Sequence, residues 1–174
     1  MAKQFSVTDN KPWKTTFFFI WGGQALSLLG SHLVQFTLIW YLTVLTNSAK
    51  VLAAASLVGM LPGVILGPFI GTLVDRWNRR RIMLLADSLI ALATLMLIVL
   101  FALDTVVIWH IYILMFFRSL AGSFHGNAMS ASTSLMVPVE SLTLIQGINQ
   151  MLTGGLNVIA APLGALLLEV MHVR

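Results

Sequence analysis

Arg118 stands near the middle of a long apolar run, in Phe116-Phe117-Arg118-Ser119-Leu120-Ala121-Gly122. A charge at that depth in hydrocarbon is costly, and such residues usually face a bundle interior and mark a pathway or proton relay. The alternative reading is a structural salt bridge. His125 follows two helical turns later on the same face, and histidine is the side chain that titrates near neutral pH. An imidazole satisfied by helix packing is the plainer account of it. Asp87, in the preceding apolar run, is the available carboxylate. It lies about six residues from the basic end of its run and Arg118 about twelve, an offset of roughly 9 Å at the helical rise. Side chains lean towards their own N-termini, which widens the gap. A direct Asp87–Arg118 pair is therefore not expected, and Asp87 is expected to meet the basic turn or the head of a neighbouring helix. Arg118, His125 and Asp87 are the candidates for handling a proton.

Gln24, Ser27, Ser31 and Gln35 form a second polar set, on one stripe of an otherwise apolar helix. Gln146, Asn149, Gln150, Thr153 and Asn157 repeat the design near the C-terminus. Lipid offers such groups no partners, so each stripe must face protein or water. Both readings, hydrogen-bond glue between helices and the wall of a hydrated cavity, fit the pattern. The number of amides and their recurrence favour the cavity. Gln24, Ser27, Ser31, Gln35, Gln146, Asn149 and Gln150 are thus candidates for lining a substrate pathway.

The elements that must carry these residues are membrane helices. The chain is 58% hydrophobic and 9% charged, with a mean hydropathy of +0.92, which no water-soluble domain of this length carries. Five apolar stretches, near residues 15–46, 50–74, 81–103, 106–131 and 142–170, exceed the roughly 20 residues needed to cross a bilayer. An all-α membrane fold of five spans follows. Four of the ten Lys and Arg residues crowd into Asp75-Arg76-Trp77-Asn78-Arg79-Arg80-Arg81. Such a turn stays on the cytoplasmic side. Lys3, Lys11 and Lys14 then lie inside with it, against Lys50 and Arg174 outside. The N-terminus is expected in the cytoplasm and the end of this chain outside. Tight links at 47–48, 104–105 and 137–140 favour antiparallel neighbours. Trp13 and Trp77 at one end, with Trp40 and Tyr41 at the other, suit interfacial belts.

Gly59, Gly63, Gly67 and Gly71 recur every fourth residue, giving a groove without side chains for a neighbouring helix. Pro62 and Pro68 interrupt the same helix and are expected to bend it. The groove can serve static packing or a sliding surface. No cysteine is present, which removes disulfides and thiolate chemistry. The basic residues flank apolar runs and form no patch, so nucleic acid is not an expected partner. Neither a metal nor a cofactor is expected, since the histidines are scattered and no His-Glu-x-x-His pair occurs. Ser123 and His125 lie two apart on different helix faces, without a nucleophile turn, so an enzyme is not expected.

Gly71-x-Leu73-x-Asp75-Arg76-x-x-Arg79-Arg80 resembles the loop pattern of major facilitator transporters between their second and third spans. Asn78 stands where that pattern usually has glycine. Arg118-x-x-x-Gly122 resembles the arginine motif of the fourth span, and Gly154 through Ala161-Pro162-x-x-Ala165, with its Pro162-Leu163-Gly164 core, is similar to a degraded antiporter motif of the fifth. Ile20-Trp21-Gly22-Gly23-Gln24-Ala25, Ala55-Ser56-Leu57-Val58-Gly59, Ala86-Asp87 and Arg118-Ser119 look like stretches of bacterial macrolide-efflux permeases.

The resemblance implies twelve spans in two halves, with substrate between them and alternating access by rocking. Residues 1–174 then read as one incomplete N-terminal transmembrane domain, whose implied partners are a C-terminal half, a small hydrophobic substrate, protons and the lipid bilayer. It also implies a cytoplasmic gate at Gly71, Asp75, Arg76, Arg79 and Arg80, a proton-coupling role for Arg118, and helix packing at Gly122, Pro162 and Gly164 besides Gly59, Gly63 and Gly67. The function implied is proton-coupled efflux of hydrophobic drugs such as macrolides. Its alternatives are a non-transporting fragment or assembly subunit, and a major facilitator transporter for another small molecule.

Overall fold

The computed structural model describes residues 13–170; Lys3, Lys11 and Arg174, which enter the charge asymmetry above, lie outside them. Five helices account for nearly all of this length: α1 (Trp13–Thr46), α2 (Ala49–Arg76), α3 (Arg79–Ala102), α4 (Ile108–Met136) and α5 (Val139–Val170). The largest departure from expectation is at the end of α4, which continues past residue 131. Its last turns are rich in hydroxyls, and these bond back to the helix instead of breaking it: Ser132 Oγ donates to the Ala128 carbonyl (2.7 Å) and Thr133 Oγ1 to that of Met129 (2.9 Å). Pro62 and Pro68 both lie inside a continuous α2.

On length and composition α1, α2 and α3 can each cross a membrane. α4 and α5 are equally long but diluted by the polar residues described below. Large apolar side chains such as Phe19, Met60, Val64, Phe69 and Ile98 are exposed on the outside, as a bundle solvated by lipid requires. This is a multi-pass, all-α membrane protein.

The turns are closed by residues suited to them. Asn47 (φ 47°) ends α1 and Asp104 (φ 52°) ends α3, both left-handed positions that Asn and Asp tolerate. After α3 the Thr105 N–H reaches the Leu100 carbonyl (3.1 Å) and the Asp104 N–H that of Phe101 (3.2 Å), a Schellman closure. Between α2 and α3, Asn78 is the N-cap of α3, and its Oδ1 accepts from the Arg81 N–H (3.2 Å). With φ at −69°, that position needs none of glycine's freedom, and asparagine supplies a cap that glycine lacks.

α4 is the hub. α3 and α2 pack along it most extensively, while α5 packs on α1. Leu42, Ala55, Leu97, Ile111 and Met115 form the core at one end, and Ile70, Val74, Ile82 and Ala128 that at the other. The glycine row of α2 is split, which corrects the uniform groove expected. A methyl group on Gly59 would lie 2.5 Å from Gln35 Nε2, and one on Gly63 3.1 Å from Ser123 Oγ, whereas Gly67 and Gly71 have nothing within 4 Å. Only the half of the row facing α1 and the middle of α4 needs small residues.

Candidate functional site

Four helices line an open cavity of about 200 Å³ that carries polar side chains of α1 and charged ones of α3 and α4. α1 contributes Ser27, Ser31, His32 and Gln35, and α2 the backbone at Gly59. Asp87 of α3, with Arg118 and His125 of α4, completes the wall. The α1 stripe thus turns towards the charged residues of the antiparallel α3–α4 pair. Ser119 Oγ donates to the Gly59 carbonyl (2.6 Å) and ties α4 to α2 at the rim.

Arg118 is 7% exposed. Its Nη1 donates to Thr94 Oγ1 and to the Ile90 carbonyl (3.4 Å) of α3. Thr94 Oγ1 itself donates to that carbonyl (2.7 Å), so guanidinium, hydroxyl and carbonyl form one node. Nε is buried without a partner. The cation is thus held by dipoles of α3, and forms no ion pair among the described residues. Thr94 is level with Arg118 in the antiparallel pair, two turns beyond the level of Asp87.

His125 is 6% exposed, with a polar neighbour beside each ring nitrogen. Gln24 Nε2 lies 3.2 Å from Nδ1, and Asp87 Oδ1 3.4 Å from Nε2. With the amide donating, Nδ1 is the acceptor and Nε2 carries the hydrogen on the side of the carboxylate, so a neutral imidazole fits both neighbours. A protonated ring would carry a second N–H towards Gln24, whose amide must then turn to present its oxygen. This placement corrects the expectation for Asp87. Its carboxylate meets His125, not the basic turn, because counted from the α3–α4 turn the two residues stand at nearly the same height on adjacent helices.

The other expected residues separate into groups. Gln146 and Gln150 of α5 are exposed, and Asn149 accepts a hydrogen bond from Trp21 Nε1 (2.8 Å); none of the three lines the cavity. At the basic turn, Arg79 Nη1 donates to the Ala131 carbonyl of α4 (3.1 Å), while Asp75, Arg76 and Arg80 are exposed without an ion pair among the described residues. Among the described residues of the turn, Arg79 is thus the one that hydrogen-bonds α4. Gly122 lines the cavity with open space above it, and Pro162 is exposed. Neither is at a close helix contact, because each faces away from the neighbouring backbone. Gly164 does pack, directly under the Phe36 ring of α1.

Three residues with a side-chain role here are not among those the sequence singles out for one. Thr94 is level with Arg118 and accepts from it, but as a lone threonine it carries no signal of its own. His32 continues the Gln24 stripe eight residues on, and Trp21 carries the only indole N–H that reaches α5 among the described residues. Ser123 Oγ donates to the Ser119 carbonyl (3.0 Å) and takes no part with His125.

Residues 20–174 match the family model of the Major Facilitator Superfamily. The chain belongs to the major facilitator superfamily. Its five helices are part of a major facilitator fold. This major facilitator chain is 42% identical over 158 residues to Macrolide efflux protein A of Streptococcus pyogenes, covering 91% of this chain and 39% of that protein. It is 40% identical over 124 residues to Macrolide efflux protein A of Enterococcus faecalis, covering 71% of this chain and 38% of that protein. The chain therefore spans about two fifths of the length of the curated relatives it matches. No solved structure matches it.

Proposed function

We propose that this chain forms the N-terminal helices of a secondary active transporter that exports small hydrophobic molecules of the macrolide kind against a proton gradient. The observation that carries this reading is the line of contacts across α1, α4 and α3, in which Gln24 Nε2 hydrogen-bonds His125 Nδ1 and His125 Nε2 lies 3.4 Å from Asp87 Oδ1 at the cavity wall. Protonation of His125 strengthens its attraction to Asp87 and reverses the demand on the Gln24 amide. A proton therefore changes how α1 is held against the α3–α4 pair, which is the coupling that alternating access requires. Arg118, two turns further on, supplies a fixed positive charge beside the pathway. The remaining helices of the pathway come from polypeptide beyond the matched two fifths, and the exposed amides of α5 face it. The basic turn with Asp75 lies in the cytoplasm and acts as gate, with Arg79 as its latch on α4.

Accumulation of a radiolabelled macrolide in cells expressing the gene tests this directly. Accumulation is expected to be low, to rise when a protonophore is added, and to rise equally in the Arg118→Ala variant. Export that survives both treatments would overturn the proton-coupled reading.

A further inference from the structure

A second cavity, of about 210 Å³, lies on the opposite side of the α3–α4 pair, at the end of the basic turn. Its walls are apolar, with Leu85 and Leu89 of α3, Leu120 and Phe124 of α4, and Trp77 from the end of α2. Trp77 is 60% exposed and Leu85 69%, so the groove opens to the bilayer. We propose that this groove and the arginines above it hold one anionic phospholipid from the leaflet that meets the α2–α3 turn. The proposal is independent of transport.

Helix geometry puts a charge over the groove. Arg81 is four residues before Leu85 and eight before Leu89, on the same face of α3. Its side chain leans towards the N-terminus of the helix, out of the hydrocarbon and into the headgroup layer. Arg80 and Arg81 are exposed and form no ion pair among the described residues; Asp75, the nearest acid in the turn, is not paired with them. The first turn of α3 carries three arginines and no acid. Positive side chains there oppose the helix dipole, a conflict that a phosphate group relieves.

A third cavity, of about 400 Å³, sits at the other end of the same α3–α4 face and is apolar apart from the His110 ring. The adjoining turn carries Asp104 and no cation. An acyl chain gains little by leaving lipid for an apolar groove, since lipid tails are as apolar as leucine. Selectivity must therefore come from the headgroup, and only the groove beneath Arg80 and Arg81 offers one charge of the right sign.

The test uses the chain with Trp77 as its sole tryptophan, the other four of its five replaced by Phe, reconstituted in phosphatidylcholine vesicles. Brominated phosphatidylglycerol and brominated phosphatidylcholine are compared as quenchers of Trp77. Phosphatidylglycerol is expected to quench at a lower mole fraction, by roughly fivefold for each arginine engaged. Arg81→Gln should remove about one such factor. Leu85→Phe, an apolar exchange on the lipid-facing surface, fills the groove and should reduce the preference with every charge still present. A variant keeping only Trp109, 72% exposed at the opposite end, should be quenched equally by both lipids. Equal quenching at Trp77 overturns the proposal. So does a preference that Leu85→Phe leaves unchanged, or one that Trp109 shares, because either reports diffuse attraction to the surface.

Discussion

The two polar stripes of this chain are written alike and end in different places. On α1, Ser27, Ser31 and Gln35 line the cavity and Gln24 engages His125. On α5, Gln146, Gln150, Thr153 and Asn157 are exposed, and only Asn149 finds a side-chain partner, Trp21. A run of amides at helical spacing says that lipid is excluded. It does not say which neighbour does the excluding. That is decided by the small and apolar residues around the stripe, which fix how the helix is turned.

For α5 the deciding contact is Gly164 beneath Phe36. A methyl group at Gly164 would collide with the ring, which is rigid and cannot swing aside as a long side chain does. Gly164→Ala should therefore lift α5 from α1 and destabilise that pairing by about 1–3 kcal/mol, the usual range for overpacking. Because α5 packs on α1 and only marginally elsewhere, the loss should be local. Hydrogen exchange is expected to rise along α5 and to stay unchanged in α3 and α4. Faster exchange throughout would mean that the two regions are not separable.

Most of the helical architecture was legible in the sequence because each helix is a long apolar run closed by a suitable turn. The misplacements have a common cause. Counting depth in the membrane refers Asp87 to the basic turn or to the head of a neighbouring helix. That count correctly separated it from Arg118, but height alone does not reveal that His125 stands opposite at the same level. Thr94 was invisible for a similar reason, since a lone threonine in an apolar helix ordinarily bonds its own backbone, and this one does so while also accepting from Arg118. The glycine row was legible as a pattern, yet only Gly59 and Gly63 meet side chains. Spacing predicts that four residues share a face. How far along that face a neighbour extends depends on the crossing of the helices, and no residue type encodes that locally.

On the α1 side, Gln24→Leu sharpens the comparison. The substitution leaves His125 Nδ1 buried without its partner while Nε2 still faces Asp87. The expected cost is about 1 kcal/mol, within the range for an interhelical hydrogen bond in a membrane. Nitrogen NMR of labelled histidine gives a readout that packing alone does not move. In the parent chain the His125 Nδ1 shift should report a hydrogen-bonded acceptor, and in Gln24→Leu it should move to the position of a free acceptor. An Nδ1 shift identical in both would remove the Gln24 amide from the site.

The smallest effect is expected where the amides are exposed. Gln146→Leu with Gln150→Leu removes two exposed polar side chains that hydrogen-bond no partner among the described residues. Its stability should therefore change by less than about 0.5 kcal/mol. Any change should be towards greater stability in lipid, where leucine is the more readily inserted residue. Unfolding of the reconstituted chain by denaturant measures this. A loss above about 1 kcal/mol, on the scale of the interhelical bond that Gln24 makes, would place the α5 stripe in contact with the same bundle. Null stability combined with lost macrolide export in the expressed gene would instead give the stripe its partner beyond these five helices. The two measurements together therefore separate the hydrogen-bond glue from the cavity wall, which the spacing of the amides could not do.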